Sequence, residues 1–364
     1  MVIMINKNLL SLAIATAITA PLVAFSDTTS YGKAHVSINW FDINGTTLDG
    51  SGNYKGWTLN KGFIGKGVGH GNRIGIRGSE DFGGGLKAVY QIEIGIPIAN
   101  ENDYKMVNGD KGGIRMRNSY IGVRGNFGTF LVGRHDTPFK MSTSKLDLFN
   151  ETINDYAGTL GFGDARVDNT IAYISPNVNG FQFAAAIVPG ASSTFGGEKG
   201  NKSDGLAEAY SIAATYWNGP WYASAAYEEH GENMHGENFN TNPADLRKCR
   251  VGLGIRDLHG LYLSAIYENQ TSKDYIEEVN DEDNDTDLWQ GQIGYAFGNN
   301  MFKGSYGRNT PNVGYKLTSW SLGVDHTFSK RTKAYALYTK TDEYRLIGDA
   351  GDWNGFSVGM IHRF

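Results

Sequence analysis

Apolar and polar residues alternate strictly along much of this chain, a two-residue period that puts one face of each segment in an apolar medium and the other in water. In the first such segment Gly32, Ala34, Val36, Ile38 and Trp40 fall on one side and Lys33, His35, Ser37 and Asn39 on the other. Between Lys248 and Arg256 the pattern sets Cys249, Val251, Leu253 and Ile255 against Arg250, Gly252, Gly254 and Arg256. From Trp320 to Phe328 the apolar face reads Trp320, Leu322, Val324, His326 and Phe328. Segments of this kind fall at about 31–41, 72–80, 86–94, 115–125, 128–134, 168–174, 181–188, 208–217, 221–228, 247–257, 260–268, 286–297, 301–308, 316–328, 332–341 and 353–364, sixteen in all. An even count suits a single-chain barrel, because antiparallel closure returns both chain ends to one rim.

The connections alternate in length in step with the segments. Asp81 to Gly85, Gly125 to Phe127, Ser175 to Gly180, Asn218-Gly219-Pro220, Asp257 to His259, Gly298 to Asn300 and Ser329-Lys330-Arg331 are short, and the others are mostly long and polar. A soluble sandwich has no reason to sort its loops in this way. A membrane barrel does, with tight periplasmic turns and long extracellular loops. Trp217, Trp221, Tyr295, Phe297, Phe328 and Trp353, near segment ends, suit the two interfacial girdles. Closure also pairs every backbone N–H and C=O that lies in hydrocarbon. The expected fold is all-β, a transmembrane antiparallel β-barrel of about 16 strands, and at that size the interior holds water.

Met1 to Ser26 reads as a signal peptide, with Lys7, an apolar core from Leu9 to Val23, small residues at Ala24 and Ser26, and cleavage after Ser26. The barrel domain then spans 27–364, in the cell outer membrane. Beyond residue 26 no run approaches the roughly 18 to 20 apolar residues that a membrane-crossing helix needs. The mean hydropathy of -0.37 is expected when only every second strand residue faces lipid. A net charge of -5 offers no basic surface for nucleic acid. Cys249 is the single cysteine, so no disulfide framework is available and stability must come from a large core or from closure.

Several short runs in fixed order carry a resemblance. They are Tyr31-Gly32-Lys33, Arg73-Ile74-Gly75-Ile76-Arg77-Gly78-Ser79-Glu80-Asp81, Leu86-Lys87-Ala88, Arg117-Asn118-Ser119-Tyr120-Ile121-Gly122, Phe127-Gly128-Thr129 leading to Gly133-Arg134, Asn169-Thr170 before Tyr173, and the ending Val358 to Phe364. Over nearly its whole mature length the chain resembles the general diffusion porins of Gram-negative bacteria. The resemblance implies a homotrimer in outer-membrane lipid, each barrel narrowed by an inward-folded third extracellular loop. It also implies passive diffusion of small hydrophilic solutes and ions, without a cofactor. The last strand's apolar face, Phe356, Val358, Met360, His362 and Phe364, resembles the signal that the barrel-insertion machinery reads. The alternative is an ordinary terminal strand with an aromatic end.

The connection between the fifth and sixth segments, 135–167, is the candidate constriction loop, since a connection this long is usually functional or disordered. Asp147, Glu151 and Asp155 are spaced four apart, so a short helix there would present all three carboxylates on one face, with Leu146, Leu148 and Phe149 packed on the wall. A solvated loop with scattered acids is the competing reading. Strand parity aims Lys33, Arg73, Arg77, Lys87 and Arg117 into the lumen, because a charge on the lipid face near the midplane costs about 2–4 kcal/mol. The resemblance independently places Lys33, Arg73 and Arg117 in the family's basic cluster, with Arg166 a weaker candidate and Arg134 at a bend. The loop lacks the Pro-Glu-Phe-Gly-Gly-Asp run of enterobacterial porins, so the family's acidic pair is not carried over residue by residue. Ion preference stays open: inward bases favour anions, while acidic outer loops draw cations to the vestibule.

Other signals carry less. Gly65-Lys66-Gly67-Val68-Gly69-His70-Gly71 lacks the strand-to-helix context of a phosphate loop. The acidic run Glu277 to Asp287 lacks the glycine and terminal glutamate of a Ca²⁺ loop, and His35 and His230 have no metal-site spacing. A sugar-specific porin with an aromatic slide and an outer-membrane barrel enzyme are the rival functions, and no Ser/His/Asp constellation is legible for the latter.

Overall fold

Each alternating segment becomes a β-strand that bonds to its neighbours. The structure, a computed structural model, describes residues 28–44, 53–59, 70–99, 115–190, 205–231, 246–272, 284–312, 315–345 and 351–364. The targeting stretch 1–26, residues 65–69 of the glycine run and residues 277–283 of the acidic run lie outside the described residues.

Eighteen strand segments form one sheet. β1 (Thr29–Asn44) pairs with β18 (Gly351–Arg363) from Lys33↔Arg363 to Asn44↔Asp352, which closes the sheet on itself. β2 (Tyr54–Leu59) pairs with Ile38–Ile43 of β1, and β3 (Arg73–Gly83) pairs with Thr29–Lys33, so the two are halves of one interrupted strand. β5 (Arg115–Met116) and β6 (Ser119–Gly125) both pair with β4 (Leu86–Gly95) and likewise make one strand. The result is a closed antiparallel barrel of 16 strands. Periodicity alone does not reveal β2, because six residues with a glycine among them carry too few alternations.

The remaining strands are β7 (Gly128–Asp136), β8 (Arg166–Ile174), β9 (Phe181–Val188), β10 (Ala209–Asn218), β11 (Trp221–His230), β12 (Leu246–Leu258), β13 (Leu261–Ser272), β14 (Asn284–Phe297), β15 (Asn300–Pro311), β16 (Tyr315–Ser329) and β17 (Thr332–Arg345). One rim carries the tight turns, such as Asn218 to Trp221 and Phe297 to Asn300. The other carries the long connections, with Pro311 to Tyr315 and Arg345 to Gly351 as its short exceptions.

Parity decides the two faces. On β12, Val251 and Leu253 are exposed outward, while Lys248 and Arg250 point inward and are buried. On β16, Leu322 and Phe328 face out and Ser319, Ser321 and Asp325 face in. Trp217 shares the inward parity of Ala209, Ser211 and Ala213, and its ring centroid lies 4.2 Å from Lys145 Nζ and 4.7 Å from the Arg256 guanidinium, so it stands inside the barrel. Trp221, Tyr295, Phe297 and Phe328 are exposed outward as girdle aromatics should be. Trp353 is not: on β18 it shares the inward face with Ser357 and Ile361 and packs on Phe41, with ring centroids 5.8 Å apart. Its place near a strand end suggested the girdle, but its odd position on that strand sends it inward.

The chain ends on the seam. The Gly32 N–H donates to the Phe364 carbonyl at 2.8 Å, and the Phe364 N–H returns a bond to the Gly32 carbonyl at 3.1 Å. The Phe364 ring lies across Gly32, where an added Cβ would sit 2.3 Å from Cζ, so only glycine admits this contact. Phe356, Val358, Met360 and Phe364 face outward and are exposed.

The main packed core lies inside the barrel, where the third long connection, residues 137–165, folds against the inner wall. It contains two short helices, α1 (Pro138–Thr143) and α2 (Tyr156–Thr159). Phe149 and Ile153 pack with Phe41, Ile43, Tyr335, Leu337, Trp353 and Ile361. Leu146, Tyr156, Leu160 and Phe162 pack with Tyr222, Ile266, Leu288 and Leu317.

Candidate functional site: a charged slot beneath the third loop

The third loop is held by polar bonds as well as by apolar burial. Tyr222 Oη donates to the Ser142 carbonyl at 2.6 Å, Lys303 Nζ to the Leu148 carbonyl at 2.7 Å and Asn309 Nδ2 to the Leu160 carbonyl at 2.7 Å. Its return limb is clamped by Arg250, which is 0% exposed and meets Asp164 at 2.7 Å and Glu268 at 2.5 Å. The Arg250 guanidinium lies over the Phe139 ring, 4.2 Å from its centroid. These anchors sit on β11 to β15, and Phe149 and Ile153 pack on β1, β17 and β18, so the loop covers that arc of the wall and turns Glu151 toward the bases of β1 and β3.

Glu151 occupies the tip, in the left-handed region at φ 60°. Its carboxylate pairs with Lys33 Nζ, with Arg73 Nη1 at 2.8 Å and, more loosely, with Arg117 Nη2 at 3.9 Å. A second acid sits on the wall itself. Glu93 of β4 meets Arg117 Nε at 2.7 Å and Arg73 Nε at 3.6 Å, and accepts from Tyr31 Oη at 2.9 Å. Each arginine therefore lies between a loop acid and a wall acid. Glu93 was legible in principle, since it shares the inward parity of Lys87.

Asp147 and Asp155 do not face these bases, and the expected helix joining all three acids does not form. Asp147 Oδ1 accepts from the Phe149 N–H at 2.8 Å and from Gln292 Nε2 at 3.0 Å. Asp155 caps α2 by accepting from the Ala157 N–H at 3.0 Å, while its other oxygen accepts from the Glu151 N–H at 2.8 Å. Such local bonds from aspartate to backbone offer the chain an alternative to a helix. Burial pushes the Asp147 carboxyl up to about 7, aided by Asp155, and the Asp155 carboxyl up to about 6, aided by Asp164.

The other predicted bases divide. Arg77 faces the lumen water on β3, its guanidinium 5.2 Å from the centroid of Tyr31, apart from both acids. Lys33 is only 3% exposed and lies behind Glu151 rather than lining water. Lys87 sits toward the short-turn rim near Asp81, at 3.8 Å. Arg166 joins the slot from β8, with Asp136 at 2.9 Å and Asn118 Oδ1 at 2.7 Å. Arg134 pairs with Asp168 where the β7–β8 register shifts between Gly133 and His135. Among the described residues no group of three His, Cys, Asp or Glu side chains is arranged to hold a metal.

A closed barrel with acids and bases facing each other beneath an inward loop is the architecture of a pore, and the sequence matches the Gram-negative porin family over residues 11–345. The chain belongs to that family. This porin is 27% identical over 376 residues to the major outer membrane protein P.IB of Neisseria meningitidis serogroup B, covering 99% of this chain and 100% of the relative. It is 24% identical over 408 residues to an outer membrane porin protein of Bordetella pertussis, covering 99% and 100%. Among solved structures it superposes on an anion-selective porin from Comamonas acidovorans with a TM-score of 0.68 at 22% identity, over 93% of this chain and 99% of that one. The outer membrane channel DcaP of Acinetobacter baumannii gives 0.66 at 15% identity, over 94% and 98%. The porin is an outer-membrane channel for passive diffusion, with charged residues inside its barrel.

Proposed function

We propose that the slot between Glu151 and the arginines of β3 to β8 is the constriction of this porin, and that it passes small hydrophilic solutes with a preference for anions. The observation that carries this is the sandwich of Arg73 and Arg117 between Glu151 on the loop and Glu93 on the wall. Opposed charges across a narrow wet gap set up a transverse field without forming a tight site, so solutes pass without being retained. Lys33, Arg73, Arg117 and Arg166 stand against Glu93, Asp136 and Glu151 at the slot, and Arg77 adds a further cation facing the lumen on the same wall, an excess of positive charge along the path of a passing ion.

The porin works as a channel rather than an enzyme, and as a homotrimer in outer-membrane lipid, the assembly its family supports. The last strand, with Met360, His362 and Phe364 on its outward face, serves as the insertion signal. A sugar slide is not favoured, because aromatics on the inner wall, Phe41, Tyr222, Tyr335 and Trp353 among them, are buried against the third loop. The test is a planar-bilayer reversal potential under a salt gradient. R73E and R117E are each expected to move it toward cations, and an unchanged potential and conductance in both would refute the assignment. Liposome swelling separates the rivals: leakage graded by solute size supports the pore, whereas saturable uptake or lipid breakdown overturns it.

A further inference from the structure

We propose that His70-Gly71-Asn72 is a seat for Glu151, and that the absence of a side chain at position 71 is what lets a carboxylate stand in the slot and set its ion preference. This rests on the constriction assignment above. The seat arises from the interruption of the second barrel strand. Among the described residues, Ala34–Ser37 of β1 pair with neither β2 nor β3. The segment 70–72 fills that break with side-chain bonds. The His35 N–H donates to Asn72 Oδ1 at 2.5 Å, the Ser37 hydroxyl meets His70 Nε2 at 2.5 Å, and the His35 and His70 rings stack 3.9 Å apart.

On its lumen side the same segment holds the tip of the third loop. His70 Nδ1 lies 3.0 Å from the Glu151 carbonyl, an acceptor only, so Nδ1 carries the hydrogen and Nε2 accepts from Ser37. Lys33 Nζ donates to the His70 carbonyl at 3.1 Å, and Arg73 Nη1 to the Gly71 carbonyl at 2.9 Å. Both cations thus reach the seat and Glu151 together. A Cβ on Gly71 would lie 2.1 Å from Glu151 Oε1, and Gly71 itself sits at φ +58°. The atom in the way is the far end of a flexible side chain, so an alanine there displaces the carboxylate instead of the wall. Once displaced, Glu151 no longer offsets Arg73 and Arg117, and the slot becomes more positive.

The decisive variants are G71A, E151Q and the double variant, read as reversal potential and single-channel conductance in planar bilayers, with heat-modifiable gel mobility to show that the barrel is intact. G71A and E151Q are each expected to raise the anion-to-cation permeability ratio by more than about tenfold, because removing one unit charge a few ångströms from the ion path in watery surroundings shifts anions and cations by about fivefold each, in opposite senses. The double variant is expected to equal either single one, because both remove the same carboxylate from the slot. A G71A barrel with the wild-type potential, beside an E151Q that shifts, overturns the seat and leaves the constriction assignment standing. A full additive shift in the double variant also overturns the seat. If E151Q itself is silent, the constriction assignment falls, and the seat with it. If G71A yields no intact barrel, H70A and H70N decide. H70A loses the bond to the Glu151 carbonyl and is expected to shift as E151Q does. H70N, whose amide reaches the position of Nδ1, is expected to restore the wild-type value, and equal potentials in H70A and wild type overturn the seat.

Discussion

Replacing Arg250 by methionine tests whether the third loop is held in place by its buried clamp. Arg250 and Glu268 are both 0% exposed and 2.5 Å apart, while Asp164 on the loop is 12% exposed and 2.7 Å from the same guanidinium. Methionine keeps the volume packed on Phe139 but leaves Glu268 buried without its counter-charge. Removing one partner of a buried pair costs about 3–5 kcal/mol, whereas removing both charges is often neutral. At about 1.4 kcal/mol per decade, the docked-to-undocked ratio of the loop falls roughly two to three and a half orders of magnitude. The expected result is noisy channels with larger conductance substates, together with trypsin cleavage after Lys140, on a barrel whose gel mobility is unchanged. R250M/E268Q should recover much of the loss, because a neutral amide oxygen still accepts from the Gly163 N–H, as Glu268 does at 2.9 Å. Wild-type conductance and trypsin resistance in R250M alone would refute the clamp.

Two further outcomes follow from the loop and the seam. Asp147 and Asp155 hold protons up to about 7 and about 6 in the docked loop, above the unfolded carboxylate value near 4, so docking takes up protons. The stabilisation is fully present below about pH 4 and is lost as pH rises through about 6 to 7. Trypsin resistance of the loop should therefore fall between pH 5 and pH 8, and D147N should flatten that dependence; an unchanged slope in D147N sinks the argument. At the seam, deleting Phe364 removes both bonds to Gly32, and G32V collides with the Phe364 ring. Both should lower the amount of barrel assembled in the outer membrane, and normal yields in both would show that neither the seam nor the terminal aromatic guides assembly.

Within the candidate site, legibility followed distance along the chain. Arg73 and Arg117 could be aimed inward because parity is set residue by residue in a strand, and the same rule would have exposed Glu93 beside them. Arg77 is inward by that rule, yet it stands away from both acids, because parity fixes a face and not a height or a partner. The loop acids were harder. Spacing by four is a helical rule, and it fails where Asp147 and Asp155 spend their oxygens on nearby backbone N–H groups. Only Glu151, turned outward from the loop body at φ 60°, meets the bases.

The order of residues alone is enough to specify a closed barrel, which face of each strand meets lipid, and which rim carries the tight turns. These are properties of a two-residue period repeated many times, and each repeat tests the others. It also marked the C-terminal face that ends on Phe364. Which loop acid faces the arginines, why Trp353 lies inside, and how residues 70–72 fill the break in the second strand emerge only in the folded barrel. Those outcomes rest on contacts between residues far apart in the chain, as Lys33 and Glu151 are at 118 positions, and no local pattern encodes a pairing that exists only once the barrel has closed around the loop.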